Sequence, residues 1–141
     1  MTHNSTRWTV CGVALISFAA GGLLMPTSWA DANRIYELRV YHAVPGKLSV
    51  MESRFRDTTS KLLAKHHLTV SGYWTGDDSP GSKDTFVFLL SHRNREEAKR
   101  NWEAMRTDPE FEKILKAEQA EKTLERADVI YMRPTDFSSM K

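Results

Sequence analysis

Residues 34–133 switch between two hydrophobic periods, and the order of the switches leaves few folds open. Residues 34–42 (RIYELRVYH) alternate with a period of two, Tyr36, Leu38 and Val40 on one side and Glu37, Arg39 and Tyr41 on the other, as a strand does. Pro45-Gly46 turns the chain. From about Lys47 to His67 the period becomes helical, and Leu48, Met51, Phe55, Thr59, Leu62, Leu63 and His66 fall within an arc of about 120°. Residues 68–75 (LTVSGYWT) alternate again, 76–84 (GDDSPGSKD) have turn composition, and 85–91 (TFVFLLS) are apolar on both sides like a central strand. Asn94 and Glu97 then open a helix in the manner of a capping box, with Ala98, Trp102 and Met105 on one face. Asp108-Pro109 supplies a second N-cap and N1 pair, followed by a stripe of Phe111, Ile114 and Leu115. Residues 127–133 (ADVIYMR) form a last strand, which Pro134 ends.

The order is β-α-β-β-α-β, an α+β, ferredoxin-like arrangement with helices on one face of an antiparallel sheet. If apolar faces seek the helices, Leu38, Val40 and Trp74 point inward. Glu37, Arg39 and Tyr41 then lie on the open face with Tyr73 and Thr75. A half-polar, half-aromatic sheet face left bare in a monomer predicts a homodimer built on Glu37, Arg39 and Tyr41. Across it, Glu37 and Arg39 would pair with charges of a second copy, such as Arg133.

The first 32 residues have a different character. Arg7 precedes an uncharged, mostly apolar run from Trp8 to Met25, then Pro26 and the small residues Ser28, Ala30 and Ala32. This is the pattern of a secretory signal peptide. Cleavage fits after Ala30 or after Ala32, the latter being preferred, so residues 33–141 are the expected domain and the expected address is periplasmic or secreted. The run is at the lower limit for crossing a bilayer, and no membrane span is expected once it is removed. The one cysteine, Cys11, lies within it. The mature chain therefore has no disulfide or thiol chemistry, and its stability rests on the core.

Charge excludes another class. Lys+Arg is 20 and Asp+Glu is 18, too balanced for the basic face that nucleic acid requires. No histidine pair has metal-ligand spacing on a helix, and no nucleophile-elbow, P-loop or dinucleotide glycine pattern is present. What remains is a candidate ligand pocket of His66, Trp74 and Trp102. An imidazole on an apolar stripe suits a general base or an axial ligand to haem iron. At the end of a helix it equally suits a structural role against the helix dipole. The two indoles suit stacking on a planar ligand, or plain core filling.

Several stretches together resemble one family. YELRVYHAVPGKL (36–48), GYWT (72–75), DTFVFLLSHRNREEAKRNWEAMRTDPEF (84–111) and IYMRPTDFS (130–138) are similar to the NIPSNAP family, closest to its small exported bacterial members. The resemblance implies a dimeric α/β barrel in which two ferredoxin-like sheets pack face to face. Its best-known members carry NxxxHLWxY in the third strand, where this chain has Phe88, Leu90 and His92 at the His, Trp and Tyr positions. Related barrels include cofactor-free monooxygenases, haem-degrading enzymes, isomerases and stress proteins, so the resemblance supplies no reaction. Two readings follow. One is a protein that binds a small, partly apolar molecule between sheet and helices, as a cofactor-independent oxygenase or isomerase or without turnover. The other is a non-catalytic structural or adaptor protein.

Overall fold

In a computed structural model the described residues are 34–77 and 82–140. The expected signal segment and its expected cleavage sites, residues 1–32, lie outside them. Four strands, β1 (Ile35–Ala43), β2 (Thr69–Thr75), β3 (Thr85–His92) and β4 (Leu124–Met132), form one sheet in the order β2-β3-β1-β4. Every neighbouring pair is antiparallel. This is the ferredoxin-like order expected from the alternating periods, although β4 begins three residues earlier than the 127–133 pattern indicated.

The helix layer comprises α1 (Leu48–Arg54), a π-helical turn (Phe55–Thr59), α2 (Ser60–Lys65), α3 (Arg95–Arg106) and α4 (Pro109–Glu121). The first three run on from one another. Their buried residues, Met51, Phe55, Thr59, Leu62 and Leu63, are those of the predicted arc. Asn94 and Asp108 cap α3 and α4, accepting from the backbone N–H groups of Glu97 and Glu110. The core joins Met51, Phe55 and Leu63 to Phe86, Phe88 and Leu90 of β3 and to Trp102 and Met105 of α3. Of the α4 stripe, Phe111 and Ile114 pack on this core, whereas Leu115 is exposed.

The facing of the sheet is opposite to the expected one. On β1 the helix side carries Glu37, Arg39 and Tyr41, and Arg39 stands opposite Phe88. Leu38 and Val40 stand opposite Leu89 and Val87 on the outer side, which Ile130 extends from β4 and Trp74 from β2. Trp74, expected inside, is 52% exposed. Glu37, expected on the open face, is 0% exposed. The rule that polar residues avoid the helix side fails because these polar groups find partners there. Glu37 and Arg39 bond each other, His92, Trp102 and Tyr41 within the chain, so they neither need nor face a second copy's Arg133. No helix among the described residues is long and apolar enough to cross a membrane.

Candidate functional site

The inward turn of β1 brings charge into the layer beneath the helices. Glu37 Oε2 accepts from Trp102 Nε1 at 2.7 Å and lies 2.9 Å from His92 Nε2. Its Oε1 accepts from Arg39 Nε at 2.7 Å and pairs with Nη2 at 2.6 Å. Burial pushes the Glu37 carboxyl up, but the His92 bond, the Arg39 charge and the Trp102 bond together bring it down to about 2. The Arg39 guanidinium lies 3.9 Å from the centre of the Trp102 ring and donates Nη1 to the Tyr41 hydroxyl at 3.2 Å. One buried carboxylate thus fixes the orientation of both an arginine and an indole.

That arginine and that indole form part of the wall of a cavity of about 280 Å³ between sheet and helices. Apolar walls come from Phe55, Leu63, Phe88, Met105, Phe111 and Ile114, and polar atoms from Arg39, Tyr41, Arg54, Thr59 and Glu118. The cavity exceeds an engineered dry void of about 150 Å³ and approaches the lower end of small-molecule sites. The π-helical turn, a local widening frequent at functional sites, delivers Phe55 and Thr59 to it. Thr59 is 6% exposed, and its Oγ1 has no hydrogen-bond partner. On the far wall Glu118 is saturated by Arg54, the Thr123 hydroxyl and the Leu124 N–H. Burial raises its carboxyl, and the bonds from Thr123, Arg54 and Leu124 bring it below the usual range. The i, i+4 spacing marks Glu118–Lys122 as a solvated surface pair, yet Glu118 closes the cavity instead.

Of the expected pocket residues, only Trp102 lines this space. Trp74 is on the opposite face of the sheet, its ring lying over Gly72, where an added Cβ would come within 2.7 Å of the indole. His66 sits just past the end of α2 and bonds Asp108 Oδ2 at 2.7 Å. Asp108 also pairs with Lys65 and caps α4, so His66 fastens the two helix ends together. The bonds from Lys65, His66 and the Glu110 N–H hold the Asp108 carboxyl well below its ordinary value. Among the described residues no histidine lines the cavity, so they offer no axial imidazole for haem iron there. Sequence reasoning did not single out Thr59 or Arg54 as site residues. Thr59 reads as an ordinary member of the helical arc, and the π-helical widening leaves no mark in hydrophobic spacing.

A NIPSNAP family profile matches residues 36–139. The chain belongs to the NIPSNAP family. Three similar solved structures also carry the NIPSNAP name. An uncharacterized NIPSNAP-like domain protein from Burkholderia xenovorans is 19% identical, over 76% of this chain and 90% of that one, with a TM-score of 0.68. A NIPSNAP family protein from Agrobacterium tumefaciens is 18% identical, over 77% and 100%, with a TM-score of 0.69. A second from that organism, described as of unknown function, is 17% identical, over 78% and 96%, with a TM-score of 0.70. At these identities the likeness is one of fold. No curated protein matches the chain.

Proposed function

We propose that this NIPSNAP chain is exported, that its mature form is a homodimer joined through the apolar outer face of the sheet, and that each subunit binds a small, planar, partly apolar molecule in the cavity beneath the helices. The observation that carries the binding reading is the Thr59 hydroxyl, buried without a partner on a residue that lines the cavity. An orphan hydroxyl costs folding free energy, and a ligand oxygen removes that cost. The adaptor reading leaves this group and the space beside it unexplained. Tyr41, Phe55, Phe88, Trp102 and Phe111 surround the space, and aromatic walls favour a flat ligand.

The polar lining indicates the ligand's charge. Arg39, Arg54, Arg106, Tyr41 and Thr59 all carry donors; Arg39 and Arg54 are held by Glu37 and Glu118, the latter the one carboxylate among the described lining residues, which leaves Arg106 as the cation without a carboxylate partner there. Such a wall holds a negative oxygen better than it abstracts a proton. It suits an enolate- or phenolate-like ligand, the ionised form through which isomerisation and cofactor-independent oxygenation proceed.

The test is titration of the mature protein, in a Trp74→Phe background that leaves Trp102 as the one indole of residues 33–141, with planar aromatic and quinone compounds, read by the fluorescence of Trp102 in the wall. Thr59→Val is expected to weaken a bound compound about fivefold and to raise the stability of the free protein by about 1 kcal/mol, since it deletes an unpaired buried hydroxyl. If no compound shifts the Trp signal, the adaptor reading replaces this one.

A further inference from the structure

Arg95, Lys99, Trp102 and Arg106 stand at i, i+4, i+7 and i+11 on α3, a single stripe along one helix face. With Tyr131 of β4 and Glu96 they line an outer groove of about 410 Å³. The Arg95 guanidinium lies 3.1 Å from the centre of the Tyr131 ring, which orients its donors at low entropic cost. No carboxylate among the described residues pairs with Arg95 or Arg106, and Lys99 meets only Glu103, at 3.9 Å. Three cations against Glu96 make the groove positive. Trp102 and Arg106 belong to both the groove and the inner cavity.

We propose that this stripe binds an oxyanion carried by the cavity's ligand, which makes that ligand an aryl carboxylate or a similar amphiphilic anion. The flat apolar body lies beside Trp102 with a polar oxygen toward Thr59, and the anionic group reaches Arg95 and Lys99. Guanidinium and ammonium donors suit a carboxylate or phosphate through charge-assisted bonds. A positive groove at the cavity's margin also raises the rate at which an anion arrives. This inference rests on the binding reading above, and its experiment separates the two.

The experiment is calorimetric titration of the mature protein with 2-naphthoate and its neutral counterpart 2-naphthamide. The variant is Arg95→Gln/Lys99→Gln, whose positions are exposed and do not line the cavity. The wild type is expected to bind naphthoate at least tenfold more tightly than naphthamide, with an affinity that falls as salt rises. In the double variant that preference disappears while naphthamide binding stays unchanged, and inorganic phosphate competes with naphthoate only in the wild type. Equal binding of both probes by the wild type, or a naphthoate preference that survives in the double variant, overturns the stripe and leaves the cavity reading standing. Failure of both probes to bind overturns the two together.

Discussion

The Nε1–H of Trp102 donates to Oε2 of Glu37 at 2.7 Å, joining helix α3 to strand β1 beneath the helix layer. The bond places a charge where an amphipathic reading puts only apolar side chains. Because the same carboxylate also holds Arg39 and His92, removing it leaves several buried donors without an acceptor at once.

Glu37→Gln is therefore expected to destabilise the fold by about 3–5 kcal/mol, the cost of breaking a buried ion pair from one side. Equilibrium denaturation in urea measures it. A change under 1 kcal/mol means the network relaxes around the amide.

The same group sets an acid limit. Its carboxyl falls from 4.5 to about 2 on folding, so its stabilisation is complete above pH 4.5 and is lost as the pH drops toward 2. The loss amounts to roughly 3 kcal/mol. Thermal melts between pH 6 and pH 2 are expected to fall more steeply for the wild type than for Glu37→Gln. Parallel curves count against the assignment.

The two sides of β1 give opposite outcomes when charged. Leu38→Asp places a carboxylate on the outer face and is expected to turn a dimer into monomers of near-native stability, read by light scattering and melting. Tyr41→Glu instead puts a charge among Phe55, Phe88 and the cavity wall, and is expected to unfold the subunit. A Leu38→Asp protein that stays dimeric places the interface elsewhere.

His66→Ala removes the tie to Asp108 while leaving Lys65 and the Glu110 N–H in place. The expected cost is about 1 kcal/mol of stability, with ligand affinity unchanged. Weaker ligand binding at unaltered stability would return His66 to the site.

Export is checked on the secreted or periplasmic material itself. N-terminal sequencing is expected to begin at Asn33. An intact Met1 in a membrane fraction contradicts cleavage.

The sequence by itself determined the order of elements, the caps at Asn94 and Asp108, and the buried arc from Met51 to Leu63. Each follows from near neighbours along the chain, a helical turn or a two-residue alternation. The motifs from Tyr36 to Ser138 also sufficed to indicate the family. The facing of β1 and β2 was decided only by the tertiary structure, because alternation shows that two sides differ but not which one meets the helices. That choice depends on His92 and Trp102, which lie 55 and 65 residues from Glu37 in sequence and which satisfy its charge only when the sheet closes under α3. The cavity is likewise a property of packing. Thr59 lacks a partner because of what the π-helical turn, β1 and α4 leave unfilled between them, and no local pattern of residues records a space.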